Sequence, residues 1–187
     1  MRKTREMIIN AVMRLASQNK QRSHLTLTEI ANEAGISRQA IYQKHFNSVD
    51  DIFDYIHATI DEQILQVFQQ KVLCLPPTEL YHGIAVHILP LIYHHREWLR
   101  VLYSTNIDLK WRHYLYERYA SVTSEYLAKH PPLNTPFSQT MTVKLLTDHL
   151  ITIISIWLSD EIPLHPSKFS PIFLELMTRS PNSFFNK

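Results

Sequence analysis

Residues 27–46 read LTEIANEAGISRQAIYQKHF, and this stretch decides the fold. Thr26, just before it, and Glu29, three residues later, have the spacing at which each side chain satisfies a free backbone donor in the first turn of a helix. Ile30, Ala31 and Ala34 follow as an apolar stripe at helical spacing. Gly35 stands where a helix commonly ends in a left-handed residue, a conformation that glycine adopts at least cost. Ile36 is expected to turn back into the core, and Ser37 to cap a second helix.

That second helix carries polar residues that a purely structural helix would not need. Arg38, Tyr42 and His45 share one face if the helix is regular, and Gln39 lies beside them near its start. Ile41 falls to the side of this face and is free to pack on the first helix. The layout is that of a helix-turn-helix, whose second helix enters the major groove of DNA with its N-terminal residues toward the base edges.

The segment resembles the DNA-binding region of the tetracycline-repressor (TetR) family of bacterial regulators. The matching residues are Thr26, Ile30, Ala31, Ala34, Gly35, Ile36, Ser37, Ile41, Tyr42, His45 and Phe46, within a match covering about residues 4 to 60. Beyond it only length and an all-helical pattern agree. Two features depart from the family. Gln43, Lys44 and His45 separate Tyr42 from Phe46, where the family has two residues, so an extra residue or a bulge is expected at the helix end. Val49 occupies the place where the family has a phosphate-reaching lysine, and Lys44 is the candidate to stand in. The resemblance implies phosphate contacts from Thr26, Tyr42, His45 and Lys44, with Ser37 at the helix start completing the DNA-facing set. Base reading then falls to Arg38 and Gln39, which suit guanine and adenine, and Ala40 meets a thymine methyl.

The rest of the composition is compatible with this reading. A length of 187 residues suits one domain or two small ones, and a total of two glycines favours long helices over a turn-rich sheet protein. Cys74 is the single cysteine, so no intramolecular disulfide forms, as suits a reducing cytosol. The Arg2-Lys3 start leads into an amphipathic helix, not an apolar run, so no signal peptide is expected. No apolar stretch is expected to reach the ~18–20 residues that span a membrane, and the expected location is cytoplasmic. The net charge of +2 conceals an asymmetry. Residues 1–48 hold eight Lys or Arg and three acids, for +5, and the remainder holds 11 and 14, for −3. Positive charge therefore lies at the end that would meet phosphates.

Periodicity predicts about nine helices and an all-α chain. A helix-turn-helix domain is expected over residues 1–48, and a helical ligand-binding and dimerisation domain over 49–187. The first helix runs from Thr4 to Ser17, with Arg2, Lys3 and Arg5 near phosphates. A long fourth helix, from about residue 48 to Leu73, can couple the two domains. Further helices are expected over 78–94, 97–104, 109–129, 138–159 and 166–179, with a proline-rich break at 131–136 and a frayed tail at 180–187.

Seven aromatic rings fall between Tyr93 and Tyr119, where they fill a core or line a cavity. If they line a cavity, the expected ligand residues are Ile64, Phe68, Ile88, Trp98, Leu102, Trp111 and Tyr114. The last two helices have broad apolar faces, and pairing them with a second copy would build a four-helix bundle. Leu146, Leu150, Ile153, Trp157, Phe169, Phe173 and Leu176 are the expected dimer residues. No metal-ligand spacing occurs among the eleven histidines, and there is no phosphate-cradling glycine loop or nucleophile elbow. Neither a cofactor, a metal nor catalysis is expected. The expected function is a homodimeric regulator of transcription, a repressor that binds a palindromic site in double-stranded DNA and is released by a small-molecule effector. The alternative is a DNA-bound regulator or activator controlled by a protein partner.

Overall fold

Nine helices make up the regular structure of the described residues, 2–131 and 136–179, in a computed structural model of the chain; the side chain of Arg2 is not among them. They are α1 (Arg2–Gln18), α2 (Leu27–Ala34), α3 (Arg38–Lys44), α4 (Val49–Lys71) and α5. This last runs unbroken through Leu80–Gly83, Ile84–Ile88 and Leu89–His94. Then come α6 (Arg96–Ser104), α7 (Trp111–Lys129), α8 (Gln139–Ser159) and α9 (Pro166–Thr178). The described residues hold no strand, so the all-α expectation is met. The breaks and tail expected over 132–135 and 180–187 lie outside the described residues, as does the expected role of the Arg2 side chain.

The chain divides into two compact units. One comprises residues 1–62 and 95–111, the other 63–94 and 112–187. In the first, Ile8, Val12 and Ala16 of α1 are fully buried, as are Ile30 of α2, Ile41 of α3 and Ile52 and Ile56 of α4. Ser48 starts α4 with its hydroxyl accepting from the Asp51 amide at 3.0 Å, and Asp51 returns a bond to the Asn47 amide at 2.9 Å. That carboxylate also suits the positive end of the helix dipole. The loop after α1 is tied down at a distance in sequence: the Asn106 amide donates to the Lys20 carbonyl at 2.8 Å.

The same unit encloses an ionisable pair. His57 Nε2 lies 2.6 Å from Asp108 Oδ2, with side chains only 6% and 5% exposed. The imidazole leans on the Trp111 ring at 5.0 Å, and the other Asp108 oxygen accepts from the Lys110 amide at 3.0 Å. This local bond explains why α7 begins at Trp111 and leaves Leu109, expected inside the helix, 72% exposed.

In the second unit a ladder of rings joins α5, α8 and α9. Tyr93 stacks on Trp157 at 5.8 Å, Trp157 on Phe169 at 4.2 Å, and Phe173 meets Phe169 at 6.2 Å. Trp157 also donates from Nε1 to the Leu164 carbonyl at 2.9 Å, which satisfies its polar atom inside the core. Helix α5 opens into a wider π turn over Ile84–Ile88. Gly83 precedes it, at a point where an added Cβ would lie 2.3 Å from Leu75 Cδ1. A larger residue there would require the Leu75 side chain to shift.

One expectation needs correction. Helix α8 has 21 residues and a mean hydropathy of 1.4 over its most apolar stretch, so by length and composition it is long and apolar enough to cross a membrane. Lys144, Asp148 and His149 interrupt its apolar run, which is why no such stretch stands out by eye. Within the second unit Thr147 is buried and bonds to Thr123 of α7 at 2.9 Å.

Asp108→Ala would leave the buried His57 nitrogen without its acceptor. The expected loss is about 1–3 kcal/mol of unfolding free energy, measured by denaturant titration. An unchanged midpoint would mean that the pair contributes nothing net.

Candidate nucleic-acid interface

Helix α2 begins with a complete reciprocal cap. The Glu29 amide donates to Thr26 Oγ1 at 3.3 Å, and the Thr26 amide donates to Glu29 Oε2 at 2.9 Å. Arg22 reaches the other Glu29 oxygen at 2.6 Å. The Arg22 hydrogen bond, followed by those from Thr26, lowers the Glu29 carboxyl to about 2. The Thr26 hydroxyl donates its one proton to Glu29 Oε2 at 2.8 Å. A phosphate seeking a donor at Thr26 would have to displace that bond.

The turn follows the geometry that the sequence implies. Gly35 has φ 68° and ψ 29°, in the left-handed region. Its amide donates to Asn32 O at 3.2 Å, and the Ile36 amide donates to Ala31 O at 3.0 Å. The paired bonds close α2 and reverse the chain within two residues. Ser37 then caps α3, its Oγ accepting from the Ala40 amide at 3.1 Å.

Helix α3 has a buried side and a bare side. Ile41 is fully buried and Ala40 half-buried, while Arg38, Gln39, Gln43 and Lys44 are exposed and Tyr42 is 60% exposed. Arg38, Gln39 and Tyr42 lie within one arc of the bare side. The extra residue before Phe46 is absorbed at the helix end. The amides of His45 and Phe46 both donate to the Ile41 carbonyl, at 2.9 and 3.0 Å. This widened turn takes His45 out of helical geometry, at φ −133° and ψ −60°. His45 therefore does not continue the face of Arg38 and Tyr42; it is half-buried, with Nδ1 enclosed and unbonded. Burial, then the positive charges of Arg5 and Lys44, hold its imidazole below the usual histidine range. A neutral ring near pH 7 can offer a phosphate an N–H but no charge.

One residue near this helix escaped the sequence reading in its detail. The Arg5 guanidinium of α1 lies over the Phe46 and Tyr55 rings at 5.6 and 4.9 Å. No local spacing signals a stack between residues 5, 46 and 55.

The residues expected in the other two sites are distributed as follows. Trp98, Leu102 and Trp111 belong to the first unit, and Ile64, Phe68, Ile88 and Tyr114 to the second. Trp98 donates from Nε1 to Asn10 Oδ1 of α1 at 3.1 Å, and Trp111 packs against His57 and Tyr103. Of the expected dimer residues, Ile153, Trp157, Phe169 and Phe173 are buried inside the single chain, the last three as rungs of the ring ladder. Leu146, Leu150 and Leu176 remain half-buried. Met141, Leu145, Ile156 and Ile172 are the large apolar side chains left exposed on α8 and α9.

No protein-family model matches the chain, and no curated protein matches it. A solved structure does share its fold. This is native NalD, the secondary repressor of the MexAB-OprM multidrug efflux pump in Pseudomonas aeruginosa. The TM-score is 0.61 at 17% identity, over 95% of this chain and 96% of that one. The likeness establishes a TetR-like, all-helical fold for this chain.

The lowered Glu29 carboxyl has a consequence for acid stability. A group held below its ordinary value of 4.5 stabilises the fold above that value and loses the contribution as pH falls toward about 2. Thermal melts of wild type and Glu29→Gln should therefore converge as pH drops through this window. Parallel curves would show that the Arg22–Glu29–Thr26 bonds add no pH-dependent stability.

Proposed function

We propose that this chain is a homodimeric, sequence-specific DNA-binding regulator of transcription, a repressor released by a small-molecule effector. The observation that carries it is α3: a capped seven-residue helix, pinned by one buried isoleucine, that leaves Arg38, Gln39 and Tyr42 in solvent. A polar outer side is common to surface helices; an aromatic ring 60% exposed at Tyr42 beside Arg38 and Gln39 is what suits a groove of DNA. The fold shared with a repressor and the +5 charge of residues 1–48 support the reading. In this proposal residues 1–48 meet DNA and 49–187 carry dimerisation and effector binding. Arg38 and Gln39 read bases with Ala40 beside them, while Tyr42, Lys44, Thr26 and the His45 N–H meet the backbone around the Ser37 cap.

Dimerisation is proposed through the outward side of α8 and α9. Met141, Leu145 and Ile156 fall on one stripe of α8, since four and eleven residues are close to whole numbers of turns, and Ile172 lies on α9. Half-buried Leu146, Leu150 and Leu176 would flank them. Two-fold pairing would present two α3 helices to half-sites about one helical turn apart. Effector binding is proposed in the second unit, among Ile64, Phe68, Ile88 and Tyr114. It releases DNA only if the effector prefers one of two arrangements of the dimer.

Selection of binding sites from random duplex DNA tests the core of the proposal. A palindromic consensus is expected, with Arg38→Ala losing roughly 1–3 kcal/mol and relaxing preference at one position per half-site. Wild-type affinity in Arg38→Ala would remove Arg38 from the reading face. Ile156→Glu, at a site 66% exposed in the single chain, should leave the helical content intact and halve the mass seen by sedimentation. A dimer that survives this charge would place the contact elsewhere.

A further inference from the structure

We infer that Arg5 holds a DNA backbone phosphate at the C-terminal end of α3, its guanidinium positioned in advance by the rings of Phe46 and Tyr55. The inference rests on the DNA-binding reading above and names the cation that anchors this end of the reading helix.

The stack is a rigid platform. Phe46 is 5% exposed and meets Tyr55 edge-on, with ring centres 5.5 Å apart and planes at 68°. A guanidinium laid over ring faces is fixed in orientation without using its N–H donors. Arg5 differs here from the two other arginines of this region that are engaged in ion pairs. Arg14 and Arg22 each hold a glutamate oxygen at 2.6 Å. Arg5 has no carboxylate partner among the described residues, and its Nε is enclosed without a hydrogen bond. A half-buried cation with no anion is a poor arrangement if packing were its only purpose. A phosphate would supply the missing charge and accept from the terminal guanidinium N–H groups, which unlike Nε are not enclosed.

The surroundings favour an anion too. The described groups whose charges act on neighbouring His45 are Arg5 from α1 and Lys44 from α3, both positive. With the His45 imidazole held below its usual range, the positive charge at this end of α3 comes from Arg5 and Lys44, while the nearby Asp51 carboxylate is taken up by the Asn47 amide and the Ser48 hydroxyl. Lys44 is exposed on a flexible stem, whereas Arg5 is already oriented. Phe46 directly follows the widened turn that ends α3, so the cation over its ring stands at the end of the helix that carries Arg38, Gln39 and Tyr42. A backbone contact there sets the depth and register of the helix while adding no base preference of its own.

The test uses the full-length protein and its selected duplex, with a neutral methylphosphonate substituted at each backbone position in turn. Arg5→Met retains an apolar stem over the rings and removes the charge; Arg5→Lys retains the charge. The expected result is that Arg5→Met lowers the salt slope by about one per reading helix, with the order of base preference unchanged. One methylphosphonate position that weakens wild-type binding should leave Arg5→Met unaffected, and Arg5→Lys should recover most of the slope. Each methylphosphonate comparison is a ratio between two duplexes on one protein, and a salt slope is a ratio of affinities on one protein, so a lower yield of folded variant alters neither. If every methylphosphonate weakens wild type and Arg5→Met equally, Arg5 acts through packing alone and the inference is overturned. If wild type binds no duplex at all, the DNA-binding reading itself falls, an outcome distinct from loss of the Arg5 coupling.

Discussion

Ile41 is the contact on which α3 depends. A helix of seven residues does not persist alone in water, because too few hydrogen bonds follow its costly nucleus. Ile41 is completely buried, which contributes about 1.5–3 kcal/mol. Its carbonyl also accepts the two amides that end the helix. The Ser37 cap adds about 1 kcal/mol at the other end. Held at both ends and along one side, α3 can afford to leave the opposite side polar and bare.

Charge in the first unit is handled in three ways. Arg14 and Arg22 are paired with glutamates at its surface, where such pairs are worth little individually. His57 and Asp108 are paired inside it, where separation would be costly. Arg5 is supported by rings. The first two arrangements pair each cation with a carboxylate of the chain, whereas the third has ring faces and no carboxylate among the described residues. The second unit relies instead on stacked rings, with Trp157 between Tyr93 and Phe169. That ladder takes up aromatic and apolar residues that an amphipathic pattern would assign to a partner.

The readings that match the structure are those carried by local chemistry. Thr26 with Glu29, Gly35, and Ser37 each act within a few residues, so their spacing alone places the helix ends. The contacts that spacing does not show depend on distant partners. Trp98 bonds to Asn10 across 88 residues of sequence, and His57 to Asp108 across 51. No period in the sequence shows whether a ring will meet a cavity, a neighbouring helix or a cation. The π turn in α5 is of the same kind, since it follows a glycine that packs against Leu75 of the preceding segment.

The sequence by itself determined the helix count, the helix-turn-helix and its caps, and the side of α3 left polar, because helical periodicity and capping are properties of neighbouring residues. The tertiary structure alone decided three further matters. It placed His45 off the side of α3 that carries Arg38 and Tyr42, drew Trp157, Phe169 and Phe173 into the core, and set Arg5 over two rings. Each of these depends on which side chains compete for the same buried space, a choice made only when segments far apart in the chain pack together.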